Sequence, residues 1–168
     1  MGNVTSINIA RFIILVLIQV LICNHINFLG YINPYIYILF IALYPIKNSR
    51  LLFIFISFLL GLSIDLFQDS GGIHAASSVL IAYIRPIALK TAFGTLYEHQ
   101  TIKFNTVDIS SKIVYIAILT VIHHFVLFSL EFFSISKILF ILQKTLSSSV
   151  FTILLCTLIT VIFSKKNK

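Results

Sequence analysis

Long apolar runs recur along this chain, separated only by short turns or a few basic residues, and that pattern restricts it to one kind of solvent. RFIILVLIQVLIC from Arg11, LLFIFISFLL from Leu51, KIVYIAILTVI from Lys112 and TILLCTLITVIF from Thr152 carry almost no polar residue that could face water. Helices apolar on every side are buried in a large core or in lipid, and a chain of 168 residues has no such core to offer them. In lipid, each backbone N–H and C=O must find its partner inside the protein, which favours helices. With 59% hydrophobic residues, 10% charged residues and a mean hydropathy of +1.06, the chain lies outside the range of soluble domains. It reads as an all-α, polytopic membrane helical bundle forming a single integral membrane domain, 1–168, with room for about six spans of roughly 20 residues.

The expected spans are 12–29, 32–46, 51–67, 73–90, 113–133 and 145–163. The second is short, and Tyr31, Tyr35, Tyr37 and Tyr44 around it suit membrane interfaces. The stretch 91–112 is read as lying along the membrane surface, and 134–144 as an interfacial return. Arg11 and the apolar run after it resemble a signal peptide, but Ile22 is too large for the processing site, so this segment is expected to remain as the first span. A net charge of +7 invites a nucleic-acid reading, yet the basic residues sit between apolar runs and form no basic face on a soluble fold. Six spans put Arg11, Lys47, Arg50, Arg85, Lys90, Lys103, Lys112, Lys165, Lys166 and Lys168 on one side, leaving Lys137 and Lys144 on the other. The positive-inside bias then places both termini in the cytoplasm. Cys23 and Cys156 have neither disulfide-framework nor metal-ligand spacing.

The stretch from Ser57 to Pro86 holds the strongest local signal. Gly61, Asp65 and Asp69 recur every four residues and share one helical face. Gly71 and Gly72 break that helix, and His74 opens the next apolar segment, so the acids and the histidine can meet across a tight reversal. An acid inside a span is expensive and needs a partner, a cavity or a pathway. Asp65 is read either as pairing with His74 or capping the helix that begins at Ile73, or as an acid near the outer interface, partly solvated through the turn.

His123 and His124 in the fifth span, with Glu131 seven residues beyond His124, invite a metal or catalytic reading. Adjacent helical residues diverge by about 100°, so one helix supplies too few convergent ligands, and interhelical hydrogen bonding is expected instead. Arg85, before Pro86, is read as a cation snorkelling at the inner end of the fourth span, the proline loosening its last turn. Ser147, Ser148 and Ser149 are read as a close-packing face. The sequence contains no phosphate-binding loop, HExxH or G-x-S-x-G motif. No catalytic residue, metal or cofactor is expected.

With Gly61, Asp65, the Gly71–Gly72 turn and the segment from His74 to Pro86 in view, the sequence resembles the MreD family, rod shape-determining proteins of the bacterial inner membrane. The specific likeness covers about 30 residues around the turn, with length and hydropathy similar over the whole chain. The resemblance implies a non-enzymatic membrane scaffold of the cell-elongation machinery. Its implied partners are membrane lipid, a bitopic MreC-like protein and an elongation complex with an actin-like filament and peptidoglycan synthases, with no nucleic acid. It also implies a fold similar to the six-helix substrate-binding subunits of energy-coupling-factor transporters. Gly61, Asp65, Gly71, Gly72, His74, Arg85 and Pro86 are the structural or partner-binding motif it suggests.

Two other functions compete. A small-molecule-binding transporter subunit shares the six-span plan, but such subunits dock through an alanine pair four apart in the first span, which this chain lacks. An intramembrane enzyme would need Asp65 with His74, or the His123, His124 and Glu131 group, as its catalytic set.

Overall fold

The computed structural model describes residues 2–28, 30, 32–46, 49–98 and 107–163. Among them the secondary structure is helical, apart from one isolated bridge between Phe28 and Ile32. The α-helices are α1 (Gly2–Leu21), α2 (Ile38–Leu43), α3 (Arg50–Gln68), α4 (Ile73–Phe93), α5 (Thr95–Glu98), α6 (Ile109–Phe132) and α7 (Ile138–Ile162), with short 3-10 turns at Cys23–His25 and Ile135–Lys137. Five of these segments, Ser6–His25, Arg50–Gln68, Ile73–Phe93, Ile109–Phe132 and Ile135–Ile162, are long and apolar enough to cross a membrane. Their outward faces expose large apolar side chains such as Leu51, Leu66, Ile87, Leu139 and Val150. Those faces suit lipid, which is as apolar as they are.

The long helices pack in a chain of neighbours, α3 on α4, α4 on α6 and α6 on α7, with α1 resting chiefly on α3 and α2. Leu60 and Ile64 of α3, Ile81 of α4, and Leu119 and Phe128 of α6 form the fully buried centre. α3 and α4 match the expected spans closely. α1 begins ten residues before the expected 12–29, and α7 absorbs much of the expected return at 134–144. The expected surface loop 91–112 is largely helix at both ends: α4 runs to Phe93, α5 follows, and α6 starts at Ile109. Residues 99–106 of it lie outside the described residues, as do Tyr31, Lys47, Lys103, Lys165, Lys166 and Lys168 of the charge and interface readings.

The expected second span, 32–46, contains only the six-residue α2. Pro34 and Pro45 confine it, since a residue before proline is pushed out of the helical region, and Tyr44 adopts φ −62° and ψ 141°. Among the described residues this is the longest run so enclosed, with Tyr37 through Ala42 each at most 1% exposed. Irregular backbone at membrane depth is tolerated where protein surrounds it and satisfies its polar groups. Here the neighbouring helices do so one residue at a time. The Pro34 carbonyl accepts from Gln19 Nε2 of α1 (3.0 Å), and the Tyr35 N–H donates to Thr152 Oγ1 of α7 (3.1 Å). The Ala42 carbonyl accepts from Tyr115 Oη of α6 and from Arg85 of α4, both at 3.1 Å, and the Leu43 carbonyl from Arg11 of α1 at 3.3 Å. These contacts also give the direction of travel. Pro34 lies level with Gln19, and Leu43 with Arg11, so the segment descends antiparallel to α1.

The tyrosines read as interfacial rings are therefore core residues: Tyr37 is 0%, Tyr44 4% and Tyr35 9% exposed. Because the segment has too few residues to make a lipid-facing helix, its aromatic rings fill the space between helices.

Candidate functional site

The reversal between α3 and α4 is built from backbone that only certain residues accept. Asp69, Gly71 and Gly72 take φ of +51°, +67° and +94°. A side chain at such angles strains the backbone, so the two glycines provide the sharpness of the turn. α3 closes with the Asp69 N–H on the Asp65 carbonyl. α4 opens after Gly72, which has no side chain with which to cap it.

Asp65 takes over that task from one turn inside the preceding helix. Its Oδ2 accepts from the Ala75 N–H (2.8 Å), and its Oδ1 from the His74 N–H (3.0 Å), from Ser70 Oγ (2.6 Å) and from the His74 ring at Nδ1 (3.1 Å). The first turn of a helix leaves N–H groups without intrahelical partners and carries partial positive charge. A carboxylate there satisfies both needs, and at 5% exposure few water molecules compete with it. The geometry contains both pairing with His74 and capping of α4, and at 5% exposure Asp65 is not the partly solvated acid of the other sequence reading. Gly61 makes this approach possible. A Cβ at Gly61 would sit 2.6 Å from the Ala75 nitrogen, so the backbones of α3 and α4 nearly touch there. Gly61 and Asp65, one turn apart, thus act on the same first turn of α4.

Arg85 departs from the sequence expectation. It is 4% exposed and does not snorkel. Its guanidinium donates to Tyr115 Oη (2.9 Å, from Nε), to the Ala42 carbonyl and to the Tyr44 carbonyl, and it lies 4.9 Å from the centre of the Phe53 ring. The reason is the short segment beside it: the carbonyls at the end of α2 are orphaned by Pro45, and a buried fork of N–H donors satisfies them. Pro86 does not loosen a last turn, because α4 continues through it to Phe93.

A third polar group occupies the centre of the bundle. Tyr37 Oη and His123 Nε2 are 2.7 Å apart, joining the short segment to α6. His124 Nδ1 donates to the Thr120 carbonyl (2.7 Å), leaving Nε2 to accept from Thr152 of α7 at 3.4 Å. The two histidines, both 0% exposed, therefore bond between elements as expected. Glu131 stands apart from them, paired with Lys144 at 3.0 Å, and among the described residues no three His, Cys, Asp or Glu side chains converge as metal ligands would. Ser148 and Ser149 are buried on α7, while Ser147 bonds back to the Gln143 carbonyl. Sequence reasoning missed Gln19, Tyr115 and Thr152, which hold the short segment. Their only signal was polarity inside apolar runs.

Above the Asp65 turn lies a cavity of about 730 Å³ whose polar lining includes Asn24, His25, Asp69, Ser70, His74 and Glu131. Comparison of the chain with protein-family models, with curated sequences and with solved structures gives no match.

Proposed function

We propose that this chain is a non-enzymatic scaffold of the bacterial inner membrane, of the MreD kind, which binds a bitopic MreC-like protein and helps position peptidoglycan synthesis during rod growth. The observation that carries the reading is how fully Asp65 is engaged. Its carboxylate accepts from two backbone N–H groups, a serine and a histidine, all of which fasten one helix to the next. A carboxylate so committed stiffens a surface and has little capacity left for proton transfer. The turn it locks gives a bitopic partner a fixed shape to bind. The antiparallel descent of 34–44 supports six passages through the bilayer, five as long helices and one as the enclosed short segment. That count puts both termini on the basic, cytoplasmic side and fits the plan of the energy-coupling-factor subunits.

The test is co-purification in detergent with candidate single-span periplasmic proteins, paired with depletion in a rod-shaped host. A stable complex and rounded cells are expected. Unchanged cell shape, together with a protein that captures no such partner, overturns the reading.

One observation favours a second function, a small-molecule-binding transporter subunit. The cavity beside the turn is large enough for a ligand, and the buried His74 Nε2 has no hydrogen-bond partner within the described residues. Ligand retained through purification, or a compound that raises the melting temperature, supports it.

A further inference from the structure

We propose that the groove between α1 and α7, floored by the 34–44 segment, holds one anionic phospholipid from the leaflet at the basic end of the bundle. This goes beyond the scaffold reading and does not depend on it.

α1 lies chiefly against α3 and α2, which leaves a cavity of about 680 Å³ on the side towards α7. At the far end the gap is closed, where Phe28 stacks on Phe151 with ring centres 5.4 Å apart. The cavity wall is apolar along Ile14, Leu15, Ile18, Ile36 and Leu39. From Arg11 to Ile18 the α1 wall runs roughly 10 Å at 1.5 Å per residue, about two thirds of the roughly 15 Å of one leaflet's hydrocarbon. The part of an acyl chain nearest the headgroup therefore lies within it.

The charge is confined to one end. Arg11 and Lys112 both line the cavity there, with Thr160 and Tyr115 as hydroxyl neighbours and no acid in the lining. Lys112 is only 6% exposed and forms no ion pair among the described residues. Arg11 uses one nitrogen on the Leu43 carbonyl, and the remaining donors of its fork are available to a phosphate. Two cations at the mouth of an apolar groove complement a molecule with an anionic head and a hydrocarbon tail. Basic pockets between membrane helices bind acidic headgroups for the same reason.

The experiment uses the full chain in neutral detergent, with native mass spectrometry and thermal melting during titration by phosphatidylglycerol or phosphatidylcholine of identical acyl chains. The expected result is one retained phosphatidylglycerol per chain. Lys112→Gln and Arg11→Gln should each weaken its binding about fivefold and leave phosphatidylcholine unchanged. Arg50→Gln removes a charge from the same end but outside the groove and should have no effect. Should either groove-cation variant fold poorly, Ile14→Trp keeps both cations, changes a residue already 53% exposed, and should block the acyl chain. Equal binding of the two lipids, an equal loss in Arg50→Gln, or the same stabilisation by inorganic phosphate alone overturns the proposal.

Discussion

Asp65 and Arg85 are buried charges of opposite sign that solve the same problem at two levels of the bundle. The acid gathers N–H donors where α4 begins, and the base gathers carbonyl acceptors where α2 ends. Each supplies the groups that a helix end lacks and that lipid cannot provide. They differ in reach. The partners of Asp65 lie 5 to 10 residues away, within one turn and one helix start, whereas those of Arg85 lie 30 to 43 residues away on two other elements. The acid therefore stabilises a local hairpin, and the base holds distant parts of the chain together.

The largest effect is expected where the hairpin's backbones meet. Gly61→Leu must push α3 off the first turn of α4, and we expect too little folded protein to recover from detergent extracts. A normal yield with an unchanged melting temperature would break the claim of close approach. Arg85→Leu follows, at roughly 3–5 kcal/mol, because the Tyr44 carbonyl loses its donor and the charged hydrogen bonds to Ala42 and Tyr115 go with it. Hydrogen exchange should rise at residues 42–46 while the 69–76 turn stays protected. Asp65→Ala should cost about 3 kcal/mol, mostly from the two N–H groups left without acceptors, and the exchange pattern should invert. If both variants loosen the same residues, the contrast between local and long-range locks is wrong. Tyr115→Phe should be mildest, about 1 kcal/mol, because Arg85 still serves the Ala42 carbonyl. Chemical denaturation in mixed micelles would measure it.

The hairpin was legible because its parts are neighbours in the chain. Gly61, Asp65, Gly71, Gly72 and His74 fall within 14 residues, and helical periodicity plus two glycines places them together. Arg85 was misread for a matching reason: a lone arginine near the end of an apolar run usually snorkels, and nothing nearby in the sequence marks the carbonyls it serves. Tyr37 and His123 are 86 residues apart, and only packing brings them to 2.7 Å.

By itself the sequence determined the apolar, helical character of the long segments, the bounds of α3 and α4 to within three residues and the turn between them, since apolarity, periodicity and glycine placement act within one or two turns of chain. Tertiary structure alone decided that residues 34–44 form an enclosed irregular core instead of a full helical span. It also decided that Gln19, Arg85, Tyr115 and Thr152 serve that core. The reason is that unpaired backbone groups buried away from water take whichever donor or acceptor packing brings within reach, and sequence distance has no part in that choice.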